Sequence, residues 1–316
     1  MPQNAIIRAD GTGDYTTIIA WIAAEGGSNY GAVTVGRVDG FFDQGGSSLF
    51  LSGSAPNGLK LEAFSSSIAF DGTQRNLCGL KCSSSTRAVD FVTSTDITID
   101  GLEIIYDGTS GTDRCLEDSS SGTYTLINSL VVVESESRIY IGNFVFTNTV
   151  IVSEALSSGP SNGAPCTYSG CNVFGQNSSD MLGNSDTSTN TVVYNSGSGA
   201  DFGGSSTQTN TASSDTTAAT LTNIVIADNF VSATPIASKD YRIISGSPLD
   251  TNGIGSFVQT SGGLVITTSP IASAESFGSP TITTGVVLIS PVAIASAESV
   301  GSPVISTGVV IIAPTA

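Results

Sequence analysis

The stretch TNTVIV at residues 147–152 returns almost unchanged as TNTVVY at residues 189–194. Looser copies of it are INSLVVV at residues 127–133 and TNIVIA at residues 222–227. Each copy places an Asn just ahead of a short run rich in β-branched residues. β-Branched residues favour the pleated surface of a strand, whereas Asn tolerates a left-handed backbone and hydrogen-bonds to neighbouring backbone groups. The recurring pattern therefore indicates a corner of the chain that is followed by a strand.

The corner residues recur at intervals that suit a coil of parallel strands. Aligned in this way are Asp100, Asn128, Asn148, Asn172, Asn190 and Asn223, which are separated by 28, 20, 24, 18 and 33 residues. One turn of a parallel β-helix takes about 20 to 25 residues, with loops of free length at its corners. The sequence thus predicts an all-β fold, a right-handed parallel β-helix over residues 28–257. Two alternatives stay open: a β-sandwich, or Asn and Thr that merely flank the strands of a Ser/Thr-rich protein.

A single short helix is predicted near the start of the chain. The turn-rich segment DGTGD at residues 10–14 ends on Asp14, which is suited to cap a helix. Apolar residues with helical spacing follow, namely Tyr15, Ile18, Ile19 and Ile22. Gly26 and Gly27 then supply a stop. We therefore expect a helix over about residues 15–25, within an N-terminal segment 1–27, that covers the open end of the coil.

The last part of the chain is a tandem repeat. Residues 271–291 return at residues 294–314, displaced by 23 positions, and a half-copy precedes them at residues 262–270. The repeats contain neither Lys nor Arg. Their apolar runs would be hazardous if left unpaired. We therefore expect residues 241–253 to form the last rung of the coil and its exit, and residues 258–316 to form a β-repeat tail that acts in assembly.

The candidate assembly interface lies in this tail, with strands expected at residues 263–267, 286–289 and 309–312. Its predicted members are the apolar residues Leu264, Val265, Ile266, Phe277, Val286, Val287, Leu288, Ile289, Val300, Val309, Val310, Ile311 and Ile312.

Composition excludes several classes of protein. Ten Lys and Arg against 27 Asp and Glu give a formal charge of −17, and the basic residues are scattered singly. Nucleic acid and anionic membranes are therefore not expected partners. No secretory signal and no apolar stretch long enough to span a membrane are visible. Five Cys and no His argue against a metal site, and no cofactor is expected. Buried thiols are favoured, with two local disulfides left open.

One group of charged residues is a candidate catalytic site. Its carboxylates are Asp96, Asp100, Glu103 and Asp107, with Arg87, Asp90 and Arg114 close in sequence. Carboxylates on adjacent rungs would lie about 5 Å apart, as in retaining glycosidases. Because Asp100 and Asp107 each precede a Gly, ordinary turn chemistry is the favoured interpretation. Without His, a Ser-His-Asp triad is excluded. Trp21 is expected to pack in the core or the cap.

The opening segment DGTGDYTTIIAWIAA, residues 10–24, resembles the start of right-handed parallel β-helix proteins of the pectin-lyase and pectin-methylesterase type. In that family a similar stretch leads into a capping helix, so the resemblance implies the same fold. It implies no chemistry. The methylesterase motifs, a Gln-Asp pair and a Leu-Gly-Arg-Pro-like stretch, have no counterpart in this chain.

The tail resembles the SAEAFG-x-P-T-V repeats at the ends of many virion proteins of tailed bacteriophages. The matching stretches are SAESFG at residues 273–278 and SAESVG at residues 296–301. They depart from the family pattern by Ser276 and Ser299 in place of Ala, and by Val300 in place of Phe. The resemblance implies a particle component, such as a capsid decoration or cement protein, a head fibre or a tail component, and proteins of this kind are commonly homotrimers.

The expected function is therefore that of a non-enzymatic bacteriophage virion structural protein of the capsid decoration, cement or head-fibre type. It would act by protein–protein contact, as a homotrimer and with the major capsid protein or another virion protein. Its expected location is the virion, assembled in the host cytoplasm. Two alternatives stay open: a tailspike-like protein that binds or depolymerises glycans through the carboxylates of residues 96–118, and a bacterial surface adhesin.

Overall fold

The computed structural model describes residues 4–259 with short gaps, and five segments beyond them. The described residues are 4–83, 87–93, 95–108, 114–119, 122–134, 138–154, 165–176, 180–183, 185–232, 234–259, 264–268, 281–282, 287–291, 304–305 and 310–312. The chain divides into two units, residues 1–258 and residues 259–316.

The first unit consists mainly of short strands. In chain order its elements up to the last rung are β1 (Asn4–Arg8), α1 (Ile18–Glu25), β2 (Thr34–Asp39), β3 (Phe41–Asp43), β4 (Leu49–Leu51), β5 (Leu59–Ala63), β6 (Gly79–Cys82), β7 (Arg87–Phe91), β8 (Ile97–Asp100), β9 (Glu103–Tyr106), β10 (Arg114–Asp118), β11 (Tyr124–Ile127), β12 (Leu130–Val133), β13 (Arg138–Ile141), β14 (Phe144–Thr147), β15 (Val150–Ser153), β16 (Thr167–Ser169), β17 (Asn172–Gly175), β18 (Thr187–Thr189), β19 (Val192–Asn195), β20 (Thr207–Thr209) and β21 (Ala212–Ser213).

These strands stack into three sheets. Sheet A has the order β1-β2-β5-β8-β11-β14-β16-β18-β20, sheet B has the order β21-β19-β17-β15-β12-β9-β6-β3, and sheet C has the order β13-β10-β7-β4. One rung is a pass through the sheets in turn, as β8, β9 and β10 make it. The register holds from rung to rung, since Tyr124 of β11 lies between Ile97 of β8 and Phe144 of β14. Neighbouring strands in all three sheets are parallel. The predicted parallel β-helix is therefore confirmed.

From β8 onward, the turn from sheet A to sheet B is made by one residue with a left-handed backbone. In consecutive rungs these corner residues are Gly101, Asn128, Asn148, Gly170, Asn190 and Asn210, with φ between 46° and 74°. Each backbone N–H except the last donates to a carbonyl oxygen of the next rung at 2.8 to 3.1 Å. The amide of Asn210 also donates to the side chain of Asn190 at 2.9 Å. The predicted Asn corner is therefore correct for Asn128, Asn148 and Asn190.

Three residues that the sequence aligned with these corners lie elsewhere. Asp100 is the last residue of β8 and directly precedes the corner residue Gly101. Asn172 is the first residue of β17, two positions past the corner residue Gly170, and Asn223 follows the last rung. The alignment failed because Gly adopts the left-handed conformation as readily as Asn, so the corner of a rung need not carry an Asn.

Inward-facing side chains of the rungs form a continuous buried core. An aromatic stack runs through it, and its members are Phe91, Tyr124, Phe144, Phe146 and Tyr168. Ring centroids of successive members lie 4.5 to 5.9 Å apart. Each of these rings buries a large apolar area, so the stack contributes strongly to stability.

Helix α1 begins later than predicted and has a different cap. The hydroxyl oxygen of Thr17 accepts the N–H of Ala20 at 3.0 Å, as a capping Thr does. Asp14, which the sequence assigned as the cap, instead accepts the N–H of Ile6 at 2.9 Å. It therefore holds the turn at residues 10–14 against β1.

The helix covers the first rung of the coil. Its buried residues Ile18, Trp21 and Ile22 face β1, β2 and β4, whereas Ile19, part of the predicted apolar stripe, is 45% exposed. Gly36 in β2 makes room for the indole ring, because a Cβ there would lie 2.8 Å from Trp21. The predicted capping helix and the packing role of Trp21 are confirmed.

Residues 224–258, named here the strap, fold back over the outer face of sheet B. They include the short helices α2 (Ile226–Asn229), α3 (Pro235–Ser238) and α4 (Pro248–Thr251). Far from the last rung, the N–H of Tyr241 donates to the carbonyl oxygen of Gly72, in the loop between β5 and β6, at 2.8 Å. The prediction that residues 241–253 form the last rung and its exit is therefore wrong.

Sheet B requires this second cover because its strands are apolar on both faces. Its outward side chains belong to a second buried cluster. They are Ile105, Leu130, Val132, Val150, Val152, Phe174 and Val192. The strap contributes Phe230, Tyr241, Ile243, Leu249 and Ile254 to the same cluster. Successive residues of a strand point to opposite faces, so an unbroken run such as residues 130–133 needs a partner on each side.

The described residues of the second unit form five short strands. They are β22 (Leu264–Thr268), β23 (Thr281–Ile282), β24 (Val287–Pro291), β25 (Val304–Ile305) and β26 (Val310–Ile312). β24 pairs in parallel with β22 and β26, and β23 pairs in parallel with β25. Leu264, Val287 and Val310 face one another in the register, 23 residues apart each time. The tandem repeat is thus a repeat of strands, which begin one residue later than expected.

We predict that Ala and Gly at position 190 differ in their effect on the stability of the protein. Asn190→Ala should lower the free energy of unfolding by about 1–2 kcal/mol, because Ala is strained at a positive φ and lacks the amide. Asn190→Gly should cost about 1 kcal/mol less, since Gly adopts this conformation without strain. Urea unfolding followed by circular dichroism measures both. At the exposed Asn57, which has an ordinary φ, Ala should not be worse than Gly; equal costs at Asn190 would contradict the corner assignment.

Candidate functional site

A ladder of ion pairs lies on the outer face of sheet A. Glu62 of β5 and Asp100 of β8 are neighbours in the register. The Nζ of Lys60 lies 2.8 Å from Glu62 and 2.9 Å from Asp100. The pKa of Glu62 is lowered; its partial burial acts in the opposite direction, but the hydrogen bonds from Lys60 and Arg37 outweigh it. Adjacent-rung carboxylates do occur, but a lysine joins them into an ion-pair ladder.

The structure does not bring the four predicted carboxylates together. Asp96 accepts the N–H of Thr123 at 3.0 Å in a turn beside sheet A, whereas Asp100 lies in the ladder on that sheet. Glu103 is the buried first residue of β9, and Asp107 follows β9 and pairs with Lys81 at 2.8 Å. Glu103 accepts the N–H groups of Arg75 at 3.1 Å and of Asn76 at 2.9 Å. A backbone contact or an ion pair therefore accounts for each of the four carboxylates.

The other charged residues of that region do meet, on the outer face of sheet C. Arg87 lies 2.6 Å from Asp90 and 2.9 Å from Glu117, and Arg114 lies 2.8 Å from Glu117. Parallel pairing places Arg87 opposite Arg114, so the two carboxylates offset the repulsion between the guanidinium groups. No sequence pattern points to Glu117 as a member of this group.

Two buried carboxylates were also missed. Asp201, 1% exposed, accepts the N–H of Asn195 at 2.9 Å and the hydroxyl of Ser214 at 2.8 Å. Burial raises its pKa to about 7, and the nearby charge of Asp215 adds to the effect. Asp186, also 1% exposed, has a raised pKa for the same main reason, burial. Both connect loops of neighbouring rungs near the end of the coil, and loop contacts of this kind leave no periodic signal in a sequence.

All five cysteines are buried and carry thiols that are not joined in disulfides. Burial raises the pKa of Cys78 and of Cys171 to about 12, so these thiols stay protonated and unreactive at neutral pH. The favoured interpretation of the cysteines as buried thiols is confirmed. Within the described part of the chain, no three His, Cys, Asp or Glu side chains are grouped so that they could hold a metal ion. In the same residues no helix is long and apolar enough to cross a membrane.

A charged column follows the strands of sheet B at the side of the strap. Its members on successive rungs are Asp107, Glu134, Glu154 and Gln176. Lys81 lies 3.3 Å from Glu134, and Lys239 of the strap pairs with Glu154 and lies 3.8 Å from Glu134. Opposite charges therefore fasten the strap to this edge of the sheet.

A cleft of about 360 Å³ opens where the charged column meets the strap. Its walls are formed by Glu154, Gln176, Tyr194, Ile226, Thr234, Pro235, Ile236, Ala237 and Lys239. No sequence pattern predicts this cleft, because its two walls come from segments that are far apart in the chain. Chemically it offers an apolar recess beside an ion pair.

The predicted assembly residues fall in the second unit. Leu264, Val265 and Ile266 lie in β22, Val287, Leu288 and Ile289 in β24, and Val310, Ile311 and Ile312 in β26. Phe277, Val286, Val300 and Val309 lie outside the described residues. The backbone register places the three groups side by side, with Val265, Leu288 and Ile311 facing one another.

The stability of the folded protein should depend on pH through Asp201. Because its folded pKa is raised to about 7, the native state holds a proton between about pH 4 and 7 that the unfolded chain has lost. Its contribution to stability is therefore present at low pH and is lost as the pH rises through 7. We predict that, from pH 5 to pH 8, the melting temperature of the wild type falls relative to Asp201→Asn by roughly 5–10 °C.

Differential scanning calorimetry at both pH values measures this difference. Asp43→Asn, which changes an exposed carboxylate, serves as the control and should melt in parallel with the wild type. If the melting temperature of Asp201→Asn changed with pH as that of the wild type does, the raised pKa of Asp201 would be contradicted.

Comparison of the chain with protein-family models, with curated proteins and with solved structures found no match. The function is therefore inferred from the tail strands, the strap and the charged faces of the coil themselves.

Proposed function

We propose that this chain is a non-enzymatic structural protein of a bacteriophage virion, of the capsid decoration, cement or head-fibre type. It acts by protein–protein contact through its tail, assembles as a homotrimer and attaches to the major capsid protein or another virion protein. Assembly takes place in the host cytoplasm. The resemblance of the SAESFG and SAESVG stretches to phage virion repeats supports the phage context.

One observation carries the proposal: the repeats of the tail form parallel strands in register. Among the described residues, β22 and β26 are the outer strands of a three-stranded sheet, and each pairs on one side only. An outer strand presents unpaired N–H and C=O groups, which are a template for a strand of another chain. The apolar, uncharged runs of these strands suit burial in such a contact.

The coil supports the same interpretation. Its outer charges are joined into ion pairs on sheet A, sheet C and the charged column. A glycan-cleaving site would need one free carboxylate as an acid and another as a base or nucleophile. The carboxylates of residues 96–118 are held instead by a lysine, an arginine or backbone N–H groups, so the glycan alternative has less support.

The proposal is tested by deleting residues 259–316. The shortened protein should keep the circular dichroism and melting of the coil, because residues 1–258 contain both buried clusters. It should lose trimerisation, measured as solution mass, and binding to particles that lack the protein, measured by co-sedimentation. Persistence of both properties in the shortened protein would refute the assignment.

A point variant separates strand pairing from the mere presence of the tail. Leu288→Pro removes an N–H from β24, which is paired on both sides, and should abolish trimerisation and particle binding as the deletion does. Leu288→Ala keeps that N–H and only shortens the apolar side chain, so it should weaken both properties much less than Leu288→Pro. If Leu288→Pro assembles like the wild type, the paired strands are not the assembly element.

A further inference from the structure

The last residues of the strap are held by a polar side chain inside an otherwise apolar contact. The Nδ2 of Asn172 donates to the carbonyl oxygens of Tyr241 at 3.1 Å and of Ser256 at 3.0 Å. Its Oδ1 accepts the N–H of Ser256 at 2.9 Å. Asn172 is fully buried. These three hydrogen bonds connect the middle of sheet B to two segments of the strap, and one of those segments ends at residue 258.

The neighbours of Asn172 show that the coil itself does not need a polar residue there. Val150 lies opposite Asn172 on one side in the register and Val192 on the other. Both are buried members of the second cluster. Leu130 occupies the rung beyond Val150. An Asn among these residues costs desolvation unless its amide is fully bonded, and its bonds go to the strap.

A second contact fixes the point at which the chain leaves the coil. Phe257 has a φ of 55°, an uncommon conformation for a side chain of its size. Its ring meets that of Phe70 edge to face, with centroids 4.8 Å apart. Gly72 permits this approach, because a Cβ there would lie 2.7 Å from the Cβ of Phe257. The exit is therefore beside the loop between β5 and β6, on the flank of the coil.

Backbone hydrogen bonds also hold the residues at the point where the chain leaves the coil. The N–H of Ile243 donates to the carbonyl oxygen of Phe257 at 3.1 Å, and Ile243 forms a parallel bridge with Val258. The N–H of Gly255 donates to the carbonyl oxygen of the corner residue Asn190 at 2.6 Å. Gly255 and Ser256 are thus hydrogen-bonded to the coil, the ring of Phe257 packs on Phe70, and Val258 bridges to Ile243 within the strap.

We propose that residues 254–258 are the anchor of the tail: the amide of Asn172 and the ring of Phe257 take up force applied to the tail and pass it to sheet B. The proposal rests on the proposed function, in which the tail is the part that attaches. Residue 258 is covalently joined to residue 259, so force on the tail is transmitted along the chain to residues 254–258. Apolar contact alone lets segments slide past each other, whereas hydrogen bonds and a wedged ring are directional.

The variant Asn172→Val tests the anchor, because it places in this rung the residue found on both sides of it. The coil should keep its melting temperature within a few degrees. The strap, however, loses three hydrogen bonds, and hydrogen–deuterium exchange of the full chain should show roughly tenfold or faster exchange at residues 254–258. Ser188→Ala, which changes a buried hydroxyl away from the strap, serves as the control and should leave this exchange unchanged.

Single-molecule pulling of the full chain, through tags at its two ends, gives the readout that distinguishes an anchor from simple packing. The wild type should show two unfolding events. The strap detaches in the first, and the coil opens in the second, at higher force. In Asn172→Val the first event should shift to lower force and the second should not move. Unchanged exchange and an unchanged first event would overturn the proposal, as would detachment of the strap only together with the coil.

The two proposals fail separately. If the deletion of residues 259–316 leaves assembly intact, the tail is not the attachment element, whatever Asn172→Val does. If that deletion abolishes assembly and Asn172→Val leaves the strap equally protected and equally strong, the tail attaches but the strap is not its anchor.

Discussion

The structure depends on one constraint: from β8 onward, each rung turns from sheet A into sheet B through the same backbone conformation. A left-handed residue achieves this turn in a single step, and its N–H then continues the hydrogen bonds of sheet A across the corner. Only Gly and Asn occupy the corner position from Gly101 to Asn210. If one rung turned differently, its strand in sheet B would shift by a residue and would exchange its inward and outward side chains.

That exchange would matter because sheet B has a different neighbour on each face. Inward side chains such as Val131 and Val133 join the core, and outward ones such as Leu130 and Val132 join the cluster beneath the strap. Sheet A differs, since its outer face carries the ion-pair ladder of Lys60, Glu62 and Asp100 and needs no cover. The corner therefore decides which residues meet water, which meet the core and which meet the strap.

Local patterns made the coil predictable, and distant contacts made the strap unpredictable. The Asn before each β-branched run identified Asn128, Asn148 and Asn190 because the same backbone requirement returns in each rung. Asn172 precedes a similar run, and nothing local reveals that its partners lie 69 and 84 residues away. The buried carboxyl of Asp201 and the cleft beside Tyr194 likewise depend on loops that meet only in the folded chain. The tail strands were predictable because the repeat itself set their spacing.

The path of the strap also sets an order of events during folding. Its contacts reach Gly72 near the second rung, Asn172 and Asn190 in later rungs and, through Asn252, the corner residue Asn210. These sites reach the positions that the strap contacts only when all the intervening rungs are stacked in the correct register. Docking of the strap is therefore a late step that reports a completed coil, and a chain with a misplaced rung would leave its apolar flank bare for chaperones or proteases to recognise.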